Sequence, residues 1–399
     1  MANARPAWKS IPAGVWTLGF VSLLMDASSE LIHSLLPVFL VTTLGASTLA
    51  VGFIEGVAEA TALITKLFSG YLSDYFRNRK VLTALGYGLA AATKPIFPLA
   101  TSVTWVIVAR FVDRVGKGIR GAPRDALIAD ITPPAARGAA YGLRQTLDTL
   151  GAVIGPLLAI AAMLWLADDF RAVFWFAAVP AFCSAGLLVF GVREPEGSRS
   201  ATGEKARVRL RDARRLSADY WWIVAVAAVM TLARFSEAFL VLRAQDVGTA
   251  VAWIPLVMVA MSVVYALLAY PAGLYVDRGR QGGLLQSGLL FLILADLVLA
   301  NAHSTGIVVA GGALWGVHMG LTQGVFAAMI AGTAPEDLRG TAFGIFNVVS
   351  GIALLAASVL AGWLWQAHGP GLTFYAGAVF GALSWLALLL GYRRRPVGA

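Results

Sequence analysis

Three ionisable residues, Asp26, Glu30 and His33, stand inside one apolar run, four and seven positions from the first to the others. At 3.6 residues per turn these spacings bring all three within a sector of about 60° on one helix face. A second apolar run carries Glu55, Glu59 and Lys66, again on one face. Ionisable side chains at the centre of a membrane helix cost about 2.5–3.5 kcal/mol each on insertion scales, so they turn inward and mark ion or substrate pathways. The chemistry on offer is proton loading. A carboxyl group in a low-dielectric cavity holds its proton more tightly than in water, and a nearby base loosens it again. A carboxylate whose basic partner moves during a conformational cycle therefore changes its proton affinity, the minimum requirement for proton-driven exchange. Asp26, Glu30 and Glu59 sit near the middle of their runs and are the leading carriers, with Glu55 beside them.

The bases follow in the next runs. Lys94 lies in the third, and Arg110, Arg114, Lys117, Arg120 and Arg124 lie in the fourth with Asp113 and Asp125. Arg144 and Asp148 in the fifth are four apart, the spacing of a helical ion pair. Acids and bases in neighbouring spans can also neutralise one another as structural pairs, and Arg144 with Asp148 fits that reading well. The second half of the chain is plainer. It offers Arg234, Glu237, Asp296 and His318, and the positions matching Glu55, Glu59 and Lys66 are Met258, Ser262 and Ala269. This asymmetry assigns proton coupling to the first half and much of the substrate cavity to the second. The cavity candidates are His33, Arg234, Glu237, His318, Gln323 and Asn347. Arg234 and Glu237 stand three apart and could instead pair with each other. His33 with the two carboxylates could hold a divalent transition metal. No second histidine is near it in sequence and no His-rich tail is present, so no metal site is assigned.

Twelve apolar runs position these residues. The chain has 399 residues, 58% of them hydrophobic and only 13% charged, against about 25% charged in ordinary soluble domains. That excludes a soluble enzyme, a nucleic-acid-binding domain and a disordered chain. A spanning helix needs about 20 mostly apolar residues. Runs of that kind centre near Leu23, Ala60, Ala90, Val112, Gly151, Phe182, Val229, Ala260, Phe291, Leu314, Leu354 and Gly381. The expected fold is an all-α integral membrane protein with twelve transmembrane helices in two six-helix halves. Residues 1–192 form the first half, the basic stretch 193–218 a linker, and 219–399 the second. The first run is long enough to span and lacks the pattern of a cleaved signal peptide. The single cysteine, Cys183, can form no disulfide within the chain.

Lysine and arginine concentrate on cytoplasmic loops. Arg77, Arg79 and Lys80 follow the second run, Arg278 and Arg280 the eighth, and Arg393 to Arg395 the twelfth, while the linker carries eight bases from Arg193 to Arg215. The opposite loops hold only Arg171 and Arg243. Both termini are therefore expected in the cytoplasm, and the net charge of +9 reads as loop bias, with no nucleic-acid partner.

The halves also resemble each other. Gly70-Tyr-Leu-Ser-Asp74 matches Gly273-Leu-Tyr-Val-Asp277, Arg137-Gly-Ala-Ala-Tyr-Gly142 matches Arg339-Gly-Thr-Ala-Phe-Gly344, and Ser29-Glu30 matches Ser236-Glu237. Three matches in the same order describe two six-helix repeats, a transporter architecture. Gly70, Leu72, Ser73 and Asp74 with the bases after them resemble the loop signature of the major facilitator superfamily, with Tyr75 departing from it. Arg114, Lys117, Gly118 and Ala122 resemble its span-four signature. Gly142, Gly151, Gly155 and Pro156 resemble its span-five signature, which in that superfamily goes with export. The stretches Met25 to Pro37 and Arg114 to Asp130 look like a bacterial subgroup of drug- and metal-resistance exporters. The resemblance covers essentially the whole chain. It implies a monomer in the bacterial inner membrane, a proton-transfer role for Arg114, and a conformational latch at the cytoplasmic mouth from Gly70, Asp74, Arg79, Lys80 and Asp277.

No HExxH, paired-cysteine or P-loop pattern is present, so neither a cofactor nor ATP is implied. The reading is a secondary transporter, not an enzyme, whose partners are a small-molecule substrate, protons and the lipid bilayer. Its expected activity is proton-coupled efflux by alternating access. The alternatives are a proton-coupled importer of a small organic anion and a divalent transition-metal exporter.

Overall fold

The computed structural model describes residues 11–76, 78–192, 210–277, 281–322, 324–335 and 338–394, and every regular element among them is a helix. In chain order these are α1 (Ala13–His33), α2 (Leu36–Thr42), α3 (Thr48–Phe76), α4 (Arg79–Thr93), α5 (Ile96–Leu99), α6 (Val103–Ile131), α7 (Arg137–Trp165), α8 (Phe170–Gly191), α9 (Ala218–Ala233), α10 (Ala238–Asp246), α11 (Leu256–Asp277), α12 (Gln281–Ala300), α13 (Thr305–Thr322), α14 (Val325–Thr333), α15 (Arg339–His368) and α16 (Pro370–Arg394). They make twelve spans, because four spans are broken into two helices: α1–α2, α4–α5, α9–α10 and α13–α14. Each apolar run of the sequence is one of these spans.

The breaks have local causes. Pro37 stands in the first turn of α2, and Pro95 precedes α5. Proline has no N–H to continue the helix before it. Gly324 separates α13 from α14 with φ +77°, a left-handed conformation that glycine adopts without strain. Ten spans are long and apolar enough to cross a membrane. The other two are α4–α5, which is split into 15 and 4 residues, and α6, which is rich in charge. The purest membrane signal is thus missing where the buried charges lie.

The chain divides into two compact units, residues 1–33 with 61–206 and residues 34–60 with 207–399. Lipid tails are as apolar as leucine, so helix association in a bilayer relies on close packing of small residues and on interhelical hydrogen bonds. Both devices appear within each unit. In the first, Gly86 of α4 and Gly116 of α6 meet backbone to backbone: a Cβ on Gly116 would lie 2.6 Å from the Gly86 carbonyl oxygen. Ser28 donates to the Ala177 carbonyl at 2.7 Å and Ser184 to the Val21 carbonyl at 2.6 Å, tying α1 to α8. In the second, Gly312, Gly316 and Gly320 form one flat stripe of α13 against Val257, Met261 and Leu268 of α11. There too, Gly52 and Gly56 of α3 meet Ser358 and Leu355 of α15, and the Thr48 hydroxyl donates to the Gly362 carbonyl at 3.2 Å.

Candidate functional site

The first unit buries a layer of charge between α1, α4, α6 and α7. It has two parts. In one, Lys94, at the C-terminal end of α4, donates to Asp113 of α6 at 3.0 Å and to the Ser29 hydroxyl of α1 at 3.0 Å. Both charged side chains are almost fully buried. One turn on, Arg110 and Arg114 of α6 both reach the imidazole of His33. Arg110 donates to Nε2, and Arg114 Nη2 lies 3.3 Å from the same atom. A guanidinium is a donor only, so His33 Nε2 is the acceptor. Nδ1 lies 3.4 Å from both Arg114 Nη2 and Glu30 Oε1. The face shared by Glu30 and His33 is therefore fixed by two bases of span four.

The second part lies towards the N-terminus of α1. Arg120 approaches Asp26 at 3.6 Å, and its guanidinium lies 4.5 Å over the Tyr87 ring, a cation–π geometry. Arg124 donates to the Ser22 hydroxyl at 2.9 Å and to the Tyr87 hydroxyl at 3.3 Å, and it also faces Asp148 at 3.8 Å. Arg144 pairs with Asp148 at 2.7 Å and faces Asp125 at 3.8 Å. The side chains of Asp26 and Glu30 remain 24% and 22% exposed, while Arg120 is buried and His33 is 12% exposed. A partly open carboxyl backed by a buried base can exchange a proton with an aqueous cavity and still be tuned by that base.

The span-five glycines complete this site. A Cβ on Gly151 would lie 2.7 Å from the Leu23 carbonyl oxygen and 3.0 Å from the Asp26 Cβ. One on Gly155 would lie 2.7 Å from both the Ala27 carbonyl oxygen and the Glu30 Cβ. Pro156 follows inside α7, where its missing N–H leaves a carbonyl one turn back without its helical bond. Gly142 of the same motif has open space around it.

The remaining candidates are dispersed. Glu55, buried, and Glu59 lie on α3 within the second unit. Arg234 caps the end of α9 and Glu237 precedes α10, so both sit at the break in the seventh span. His318 is fully buried, with Nδ1 bonded to the Gly288 carbonyl at 2.8 Å. That makes it a link between α13 and α12 rather than a cavity wall. Asn347 is half-buried on α15. Arg79 pairs with Asp130 and reaches the Ala126 carbonyl, joining the start of α4 to the end of α6, and Lys80 follows it. Gln323, the linker bases 193–209, the surroundings of Gly70 and the side chains of Asp74 and Asp277 lie outside the described residues. Among the described residues no cluster of three or more metal-ligating side chains occurs.

Sequence reasoning passed over Tyr87, Ser22 and the Lys94–Asp113 pair as site components. The signal for the pair was a lysine and an aspartate in adjacent spans. Nothing in the sequence pointed to Tyr87.

A twelve-span helical chain with broken spans and a buried charged layer has the architecture of a secondary transporter. The chain matches the Major Facilitator Superfamily model over residues 18–243 and again over 238–399, and it belongs to that superfamily, whose members are transporters and not enzymes. The MFS-type transporter MJ1317 of Methanocaldococcus jannaschii is 31% identical over 387 residues, 96% of this chain and 95% of the relative. Multidrug resistance protein MdtH of Photorhabdus laumondii is 30% identical over 174 residues, 41% of this chain and 40% of its own. Among solved structures, the nucleoside transporter NupG superposes with a TM-score of 0.78 at 10% identity, covering 94% of this chain and 99% of its own. A bacterial homologue of the lysosomal transporter Spinster superposes with a TM-score of 0.76 at 16% identity, covering 98% of each chain.

Proposed function

We propose that the protein exports a small molecule in exchange for protons, by alternating access, from the bacterial inner membrane. Asp26 and Glu30 are the proton carriers, with Arg120, Arg114 and His33 as the groups that set their affinity. The observation that carries this reading is the seating of Gly151 and Gly155 against the backbone of α1 at the two carboxylates. Any tilt of α7 against α1 changes the surroundings of both acids, so helix movement and proton affinity are joined at one contact. The resemblance of the span-five motif to that of exporters, and the relationship to MdtH over part of the chain, support the outward direction. In this reading the halves are residues 1–192 and 219–399, joined by the basic segment 193–218, with both termini in the cytoplasm and the protein acting as a monomer.

One observation favours an anionic cargo as the second reading. Arg110 and Arg114 converge on a single imidazole, and that concentration of positive charge suits a carboxylate or phosphate. The same geometry weighs against a divalent metal at His33, because two guanidinium groups repel a cation and one already occupies the Nε2 lone pair.

The test uses inside-out vesicles with a pH-sensitive dye and an imposed proton gradient. Cationic drugs, organic anions and divalent metals are added in turn to wild type and to Glu30→Gln. Substrate-evoked proton movement out of the acidified lumen that disappears in the variant supports antiport. Proton movement in the opposite sense, together with the substrate, overturns it in favour of import.

A further inference from the structure

The second unit holds a fully buried carboxyl group that the proposed mechanism does not use. Asp296 lies one turn before the C-terminal end of α12, in the ninth span, and is 0% exposed. Both of its oxygens are buried and neither has a hydrogen-bond partner. It contrasts with Asp113, which is equally deep but paired with Lys94. A space has been left for it: Gly377 of α16 faces the carboxyl so closely that a Cβ there would lie 2.5 Å from Oδ2 and 3.1 Å from the Phe235 ring. Phe235 in turn packs edge-on against Trp315 of α13 and Phe374 of α16, with ring centroids 5.4 and 5.6 Å away. The carboxyl thus sits beneath an aromatic layer at the meeting of α12, α13 and α16.

Arg243 of α10 bonds the end of α12 at the Leu299, Ala300 and Ala302 carbonyls and pairs with Asp246, and no described group bonds the Asp296 oxygens. From α13 the titratable residue is His318, whose ring is bonded to Gly288, two turns away along α12. From α16 it is Tyr375, whose hydroxyl donates to Asn301. Arg234 and Glu237 flank Phe235 at the break between α9 and α10, and neither bonds the Asp296 oxygens. Tyr265 of α11 lies beside Gly320, at the opposite end of α13 from the Gly311 that meets Leu299, and α14 carries no titratable residue. An ionised carboxylate without partners in an apolar interior is prohibitively unfavourable, and such groups are neutral instead.

We propose that Asp296 is a proton-binding site of the second half: it holds its proton while α12, α13 and α16 are closed around it, and yields that proton to entering water when they part. The step is a transfer from the carboxyl oxygen to water, giving hydronium and a carboxylate, and water returns a proton to that carboxylate before the helices close again. Ionisation and helix separation are thereby coupled at a place remote in sequence from Asp26 and Glu30. The proposal does not rest on the antiport reading, because it concerns what one carboxyl binds and not which way cargo moves.

The test uses the full chain in lipid nanodiscs, without any transport substrate. Infrared spectroscopy reads protonated carboxyl groups directly, and hydrogen–deuterium exchange, corrected for the intrinsic rate, reads opening. At about pH 7 wild type is expected to show a protonated-carboxyl band that Asp296→Asn removes and Glu30→Gln leaves in place. When the pH is raised until that band disappears, exchange in 281–300 and 370–390 is expected to rise in wild type and stay level in Asp296→Asn. An unchanged band in the variant overturns the proposal, since the carboxyl is then ionised. Loss of the band with identical exchange in the two proteins also overturns it, since the proton is then uncoupled from opening. If Asp296→Asn does not accumulate folded, Asp296→Glu is read instead: the band must shift, and a band that does not move overturns the assignment.

Discussion

The Cα of Gly155 approaches α1 so closely that a methyl group on it would lie 2.7 Å from the Glu30 Cβ. The fifth span is therefore packed backbone to backbone against the part of α1 that carries the carboxyl, with no side chain between them to absorb a change. Gly155→Ala must push α1 and α7 apart, and overpacking of this kind costs about 1–3 kcal/mol. Gly142→Ala, in the same motif but facing open space, is expected to be neutral or to gain stability, because alanine is the better helix former. Thermal unfolding of both variants in nanodiscs checks this, together with cargo-evoked proton movement for each. Gly155→Ala is expected to lose both stability and coupling. Equal behaviour of the two variants would show that the contact at Glu30 is not what the glycine provides.

Lys94 and Asp113 form an almost fully buried ion pair of the first unit. Removing one member of such a pair strands the other charge and costs about 3–5 kcal/mol, whereas replacing both with apolar residues of similar volume is often neutral. Lys94→Met is therefore expected to fold poorly and Asp113→Leu likewise, with the double variant recovering most of the loss. Unfolding midpoints of the four proteins close a double-mutant cycle. Additive losses would mean that each residue serves a different partner.

The spans and the one-face clustering of Asp26, Glu30 and His33 were legible in the sequence because they depend on composition and a fixed helical period. So was the Arg144–Asp148 pair, four residues apart on one helix. What periodicity cannot supply is which helix lies beside which. Asp26 finds Arg120, and Arg124 finds Ser22 and Tyr87, only once α1, α4 and α6 are assembled. His318 has the composition of a cavity residue, yet its neighbour is the Gly288 carbonyl. Arg79 belongs by sequence to a basic cluster after the second span, but it reaches across to Asp130 at the end of α6. Charge placement reports the side of the membrane, and the partner is chosen by packing.

Tyr87 illustrates a polar group that the site uses without carrying charge. Its hydroxyl stands 2.9 Å from the Ser22 Oγ and accepts from Arg124, while its ring lies under Arg120. Tyr87→Phe keeps the ring and removes the hydroxyl, leaving the buried Ser22 and Arg124 with one fewer partner. The expected loss is about 1–3 kcal/mol. Tyr87→Leu also removes the cation–π face, worth a further ~0.5–2 kcal/mol. Unfolding midpoints that fall in the order wild type, Phe, Leu support two separate contributions. A Phe variant as stable as wild type would show that water replaces the hydroxyl in full.

Arg171 and Arg243, the two bases of the loops expected opposite the basic ones, each close the end of a helix. The Arg171 guanidinium donates to the Pro98 and Ala100 carbonyls at 2.5 and 2.9 Å, at the end of the third span. Arg243 donates to the Leu299 and Ala302 carbonyls at 3.0 and 2.7 Å, at the end of the ninth, and pairs with Asp246. The third and ninth spans occupy equivalent places in the two halves, so the repeat has met the same need with arginines from non-equivalent positions. The last carbonyls of a helix have no intrahelical donor, and a planar fork satisfies two at once where an ammonium group offers one point charge. Arg171→Lys and Arg243→Lys are therefore expected to be destabilising although charge and topology are kept, by about 1–3 kcal/mol each from the carbonyl left unsatisfied. Faster amide exchange should appear at the end of the third span in the first variant and of the ninth in the second. Lysine variants with wild-type exchange would reduce both arginines to topological markers and leave the helix ends to be held by packing alone.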